Sequence, residues 1–203
     1  MGAPYGTDWL YVSNDHGRSW SARGLLDVHP WFHGSAAVDR RSGSLLESGS
    51  PHGGCIPLCS LFRSDDGGST WREIVAAEDS WTLAEDRVGR SLLYVIFGSA
   101  SASADLGVTF EPRGAVPFAV SVLASDPNNV ATLYAGGTEG IVLQSVDGGR
   151  HWSRIDRSEI RDPSDPSSRI KHLSIGIEGT VYVATQDRVF VLAAGKRRRA
   201  AAH

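Results

Sequence analysis

An eight-residue pattern, Ser-x-Asp-x-Gly-x-x-aromatic, occurs four times in this chain: SNDHGRSW at 13–20, SDDGGSTW at 64–71, SADLGVTF at 103–110 and SVDGGRHW at 145–152. Its aspartates, Asp15, Asp66, Asp105 and Asp147, are spaced by 51, 39 and 42 residues. A unit of about 40 residues cannot bury its own apolar face and must stack on its neighbours, so the period dictates a repeat architecture.

The flanks say what the unit is made of. Apolar, β-prone runs precede the boxes at 9–12, 56–62, 92–97 and 141–143, and strand starts follow at 71–74 and 152–155. Earlier in each unit comes a small-residue strand ending in aspartate, a short turn and another apolar strand. It reads Ala36-Ala37-Val38-Asp39 before Leu45-Leu46, 83–86 before 92–95, and 123–129 before 133–135. Four strands at this period predict an all-β fold, a β-propeller of four-stranded blades.

The repeats divide the chain into a partial blade over 1–24, blades over 25–74, 75–113 and 114–155, a partial blade over 156–194, and a basic tail over 195–203. That is four to five blades. Either the ends meet in a small five-bladed ring or the chain is a segment of a larger propeller, and the fractional count favours the segment. An open ring would leave a blade face unpaired and favour self-association.

The spelling of the box has a physical reason. A tight hairpin between strands three and four needs residues that tolerate positive φ, which glycine supplies (Gly17, Gly68, Gly107, Gly149). The aspartate accepts backbone N–H groups inside the turn, and serine (Ser13, Ser64, Ser103, Ser145) adds a weaker local acceptor. The aromatic (Trp20, Trp71, Phe110, Trp152) leaves the turn into strand four and is expected to bury its ring against a neighbouring strand or blade. By this logic the box aspartates are structural, as are Asp39, Asp86 and Asp126 in the turns between strands one and two.

These octapeptides resemble Asp-box, or BNR, repeats. They are similar to those of sialidase-type propellers, xyloglucanase-type glycoside hydrolases, sortilin-type receptors and photosystem II assembly-factor-like proteins. The resemblance runs from Trp9 to about Leu192 and implies architecture far more strongly than activity, because the box lies on the propeller's periphery. It also favours a secreted or periplasmic setting, although the N-terminal residues 1–8 contain no basic and apolar stretch of the signal-peptide kind.

Composition narrows the partners. The net charge of -3 over 203 residues gives no electrostatic reason to expect nucleic-acid binding. No apolar run approaches the roughly 20 residues of a membrane span. The basic run 196–199 reads as a solvated terminus. The two cysteines, Cys55 and Cys59, lack the second pair a zinc site uses. In an extended segment their sulfurs would lie roughly 13 Å apart, which suits two free thiols, while a bend at Pro57 would allow a disulfide.

Propeller ligands sit on the loops that join strand four to the next strand one and strand two to strand three. There the sequence offers Asp27, His29, Trp31, Phe32 and His33, then Glu78, Asp79 and Trp81, then Asp156, Glu159, Asp162 and Asp165, with His52 and Glu139 on the strand two-to-three loops. His29 and His33 lack a nearby third ligand, so no metal and no cofactor is expected. Trp31, His33 and Trp81 are candidate ligand contacts. Sialidase chemistry, as the resemblance implies it, needs an arginine triad and a free tyrosine nucleophile. The nearest string to its Arg-Ile-Pro signature is Phe62-Arg63-Ser64, and Tyr11, Tyr94, Tyr134 and Tyr182 all fall in strands. A xyloglucanase-like site would need two carboxylates across a cleft, for which Asp27 with Asp79 or Glu78 is the only pairing offered. The expectation is a non-catalytic module that binds a protein or carbohydrate partner, with a glycoside hydrolase, or a remnant of one, as the alternative.

Overall fold

The computed structural model describes residues 8–26, 33–39, 41–49, 59–77, 82–85, 92–96, 98–155, 160 and 167–192. The Cys55, Pro57, Asp86, Asp27, Trp31, Asp79 and Trp81 positions, and the basic tail, lie outside them.

The described residues form antiparallel sheets whose strands follow one another in sequence order. The first sheet pairs β1 (Asp8–Val12) with β2 (Ser21–Leu26). The second runs β3 (His33–Val38), β4 (Leu45–Gly49), β5 (Cys59–Ser64) and β6 (Arg72–Ala77). The third runs β7 (Thr82–Glu85), β8 (Leu92–Ile96), β9 (Ser99–Ser103) and β10 (Glu111–Ala115). The fourth runs β11 (Val120–Asp126), β12 (Asn129–Gly137), β13 (Val142–Ser145) and β14 (Ser153–Arg154). The fifth holds β15 (His172–Ile175), β16 (Val181–Ala184) and β17 (Val189–Leu192). One short 3-10 turn, Thr138–Gly140, links β12 to β13. The fold is all-β, and the sheets are blades of a propeller.

One strand differs from the sequence expectation. The sequence reads the run 92–97 both as the second strand of its blade and as the strand before the third box; Leu92–Ile96 is the second strand, and the box is fed by Ser99–Ser103. A turn at Gly98, with φ of 77°, separates them. β9 contains only serine and alanine and so carries no apolar signal, yet Ala100, Ala102 and Ser103 are buried.

The blades stack in sequence order around their innermost strands, with β3 beside β7, β7 beside β11 and β11 beside β15. Their apolar cores lie between blades. Ala37, Leu46, Leu61 and Leu83 join the second blade to the third. Ala100, Ala102, Leu123, Leu133 and Leu143 join the third to the fourth. Tyr134, Val142, Ile175, Val181 and Val183 join the fourth to the fifth. Full burial of each large aliphatic side chain contributes about 1.5–3 kcal/mol, so the stacking supplies what an isolated meander lacks. Serines add polar ties across the same seams: the Ser35 hydroxyl donates to the Leu83 carbonyl at 3.2 Å, and that of Ser121 to the Ile170 carbonyl at 2.7 Å.

The innermost strands converge where space is shortest, and their composition reflects it. A cavity of about 330 Å³ runs between β3, β7, β11 and β15, lined by residues such as Ala36, Ala84, Ala124, Ser125 and Ser174. A meander of alternating strands puts the turns between strands one and two, and between three and four, at one end of the cavity. The remaining connections fall at the other end.

Candidate functional site

Each octapeptide folds the same way. The serine hydroxyl donates to the aspartate Oδ1 at 2.8 Å in Ser13–Asp15, Ser64–Asp66 and Ser103–Asp105, and at 2.9 Å in Ser145–Asp147. The same hydroxyl oxygen accepts the N–H of the box glycine, at 2.7 Å from Gly17 and Gly68, 2.8 Å from Gly107 and 2.9 Å from Gly149. Serine therefore bridges the turn from both sides and is more than a weak local acceptor. Ser64, Ser103 and Ser145 are buried, where an unpaired hydroxyl is costly.

The aspartate fixes the other half of the turn. Its Oδ1 accepts the N–H four residues on, from Ser19, Thr70, Thr109 and His151, at 2.8–2.9 Å. Its Oδ2 takes the side chain of the same residue, at 2.6 Å from Ser19 and Thr70, 2.5 Å from Thr109 and 2.6 Å from the His151 ring. This seventh box position, three hydroxyls and one imidazole, is a partner that the sequence pattern of fixed serine, aspartate and glycine passes over. The hydrogen bonds hold the carboxyl groups of Asp15, Asp66 and Asp105 down at about 2, with the side chain of Ser19, Thr70 or Thr109 as the largest cause in each. Asp147 is also held well below the usual range, first by the His151 backbone N–H and then by its ring.

The backbone pays in conformation. The fourth and fifth box residues both take positive φ: 59° and 84° at His16 and Gly17, 70° and 90° at Gly67 and Gly68, 59° and 88° at Leu106 and Gly107, and 71° and 88° at Gly148 and Gly149. Glycine at the fifth position also leaves room for a neighbour. A Cβ on Gly68 would overlap the Leu10 side chain of the preceding blade, and one on Gly107 would lie 3.0 Å from Leu61.

The aromatics of two boxes pack as expected. Phe110 packs on the core shared with the second blade and Trp152 on the core shared with the third. The indole N–H groups of Trp71 and Trp152 donate to the Gly68 and Gly149 carbonyls at 3.2 and 3.1 Å. Trp20 corrects the expectation of a buried ring, for it is 63 % exposed. A box ring packs on the blade before its own, and no blade precedes the first among the described residues.

The turns between strands one and two are also held by carboxylates. Asp39 accepts the Ser42 N–H at 2.8 Å and the Ser42 hydroxyl, which keep its carboxyl below the ordinary range. Asp126 accepts the Asn128 N–H at 2.8 Å. Within the second box, Asp65 takes the Ser44 hydroxyl and Arg63 Nε, both at 2.6 Å.

The nominated residues Asp27, Trp31, Asp79 and Trp81 lie outside the described residues, and His33 is the first residue of β3. Glu139 is exposed on the Thr138–Gly140 turn, at φ of 60°, and its N–H donates to the Ser167 carbonyl at 2.6 Å. Tyr11, Tyr94, Tyr134 and Tyr182 all fall in strands, as read from the sequence. No group of metal-ligating side chains occurs among the described residues.

Residues 11–22 match the BNR/Asp-box repeat. The first turn is an Asp-box, and the other three share its spelling and its hydrogen bonds. No curated protein matches the sequence, but solved structures match the fold. A chain of the nidogen–laminin complex superposes with a TM-score of 0.65 at 13 % identity, over 85 % of this chain and 64 % of that one. An ancestral GH74 enzyme superposes with a TM-score of 0.59 at 17 % identity, over 85 % of this chain and 24 % of that one. YCF48 bound to D1 peptide gives 0.53 at 13 % identity, over 79 % of this chain and 54 % of that one. The chain thus spans about a quarter of the GH74 enzyme and little more than half to under two thirds of the other two. Solved structures of this shape thus include an enzyme, a chain in a laminin complex and one bound to a peptide. No helix among the described residues is long and apolar enough to cross a membrane.

Proposed function

We propose that this Asp-box chain is a non-catalytic binding module that presents its cavity and the loops around it to a partner, a protein in preference to a glycan. The observation that carries this reading is the lining of the cavity: the side chains that β3, β7, β11 and β15 turn toward it are aliphatic or serine. Such a surface suits the apolar side chains of a peptide, whereas glycoside hydrolysis works through two facing carboxyl groups. The likeness to a propeller bound to D1 peptide and to one in a laminin complex supports the same reading.

Ala36 and Ser174 line the cavity and are exposed, so Ala36→Arg and Ser174→Arg should fill it without disturbing the interblade cores. Screening the wild type against peptide and glycan arrays should give peptide ligands whose binding both variants abolish at unchanged melting temperature. Binding that survives both substitutions would remove the cavity from the proposal.

The likeness to GH74 enzymes keeps glycoside hydrolysis as a second reading. It rests on Asp27 and Asp79 as an acid–base pair with Trp31 and Trp81 beside them. Xyloglucan hydrolysis that disappears in Asp79→Asn would establish it and overturn the binding module.

A further inference from the structure

We infer that the partner enters the cavity as an extended polypeptide segment from the Asp-box end, held by backbone hydrogen bonds to the innermost strands. This rests on the reading of the cavity as the binding site, and adds the end that is entered and the conformation of the occupant.

The lining fixes the end. It consists of residues 36–38 of β3, 123–125 of β11 and 173–175 of β15, with Leu83 and Ala84 of β7. In β3, β11 and β15 these are the three residues before Asp39, Asp126 and Gly176, where the chain turns toward strand two. Among the described residues, Ser35 and the segment 120–122, nearer the loops, take no part in the lining. The cavity therefore lies against the turns at the box end. β7 and β11 each have a blade on either side, and the placement holds in both.

On the loop side of the lining, the blades are tied together. The Ser35 hydroxyl reaches the Leu83 carbonyl, and that of Ser121 the Ile170 carbonyl, across the seams. At the loop end of β12, a Cβ on Gly137 would overlap the Phe118 ring. The strands are bolted to their neighbours at one end and leave the space at the other.

The strand edges fix the occupant. β3, β7, β11 and β15 each stand at the end of their sheet, so one backbone edge of each carries no ladder among the described residues. Ala37, Leu83, Leu123 and Ile175 are also buried in the interblade cores, so much of what these strands leave to the cavity is main chain. Such an edge is complementary to an extended chain, which pairs through its own N–H and C=O groups. Three residues of strand span about 10 Å. Over that length an α-helix about 11 Å across would fill about 950 Å³, nearly three times the 330 Å³ of the cavity.

An array of short peptides, acetylated and amidated at their ends, supplies the probes. Pro127 and Ile177 hold corresponding places in the turns of the fourth and fifth blades, two residues beyond Ser125 and Ile175. Pro127→Arg and Ile177→Arg should each weaken peptide binding at least about tenfold, with circular dichroism confirming the fold. Lys171→Glu, at the loop end of β15, should leave it unchanged. N-methylation along a bound peptide should reduce affinity at every second residue, because alternate N–H groups face the strand edge. Binding lost in Lys171→Glu but kept in both turn variants would overturn entry from the box end. A methylation scan without that period would overturn the extended pairing. Binding that survives Ala36→Arg and Ser174→Arg, or an array that yields no peptide ligand, would instead remove the cavity as the binding site, and this inference with it.

Discussion

Leu10 of the first blade fills the space beside Gly68 of the second, where a Cβ would overlap its side chain. Gly67, one residue earlier and also left-handed at φ of 70°, has nothing within 4 Å of its Cβ position. Gly67→Ala should therefore cost only the backbone strain of that conformation, about 1–2 kcal/mol. Gly68→Ala should cost clearly more, because it must also displace Leu10. Urea denaturation of the two variants checks this, and equal losses would remove the interblade role of Gly68.

Acid should loosen the boxes first. The carboxyl groups of Asp15, Asp66 and Asp105 titrate at about 2 in the folded protein, below the ordinary value of 3.8. A depressed folded-state value means that their contribution is fully present above the unfolded pKa and is lost as pH falls toward 2. Melting temperature should fall between about pH 4 and 2, and less steeply in an Asp66→Asn, Asp105→Asn double variant. An unchanged slope in that variant would mean that other groups govern the acid transition.

His151 stands where the other boxes have Ser19, Thr70 and Thr109, and its ring holds Asp147 at 2.6 Å. Replacement by threonine should preserve the melting temperature, because a hydroxyl makes the same bond elsewhere in the chain. Replacement by alanine should lower it. A threonine variant as unstable as the alanine one would show that the imidazole acts through something other than this hydrogen bond.

His16 is exposed and left-handed at φ of 59°, whereas Gly67 and Gly148 occupy the same box position at 70° and 71°. Relief of about 1–2 kcal/mol of strain, set against about 0.5–1 kcal/mol of added chain entropy in the unfolded state, predicts a modest gain from His16→Gly. Thermal unfolding should show a rise of a few degrees or less, and a drop would indicate a native contact of the His16 ring.

Leu61 is fully buried between the second and third blades. Leu61→Ala should destabilise by about 2–5 kcal/mol, lowering the melting temperature by about 2–4 °C for each kcal/mol. A loss under 1 kcal/mol in chemical denaturation would mean that this seam adds little to the global transition.

The boxes were legible in the sequence because their chemistry is local: a serine, an aspartate and a glycine close one another's hydrogen bonds within a few residues. Strands such as β4 and β12 were legible for a similar reason, since Leu45-Leu46 and Leu133-Tyr134-Ala135 carry apolar side chains. β9 was not, because its serines and alanines carry no apolar signal even where, as at Ala100, Ala102 and Ser103, they are buried. Trp20 was misread because burial is a property of the neighbour and its spelling matches that of Trp152. The hydroxyls of Ser35 and Ser121 were also missed, for serine looks the same in a loop and across a seam. The nominated loop residues Asp27, Trp31, Asp79 and Trp81 carry no periodicity, so sequence could suggest them but not bring them together.

Every β-ladder among the described residues joins strands adjacent in the chain, and none crosses from one blade to the next. Backbone pairing therefore closes only short loops, and the entropic barrier to forming any one sheet does not depend on the length of the whole. Side-chain packing alone carries cooperativity from blade to blade. Folding should advance meander by meander, with the slow step being the docking of preformed sheets.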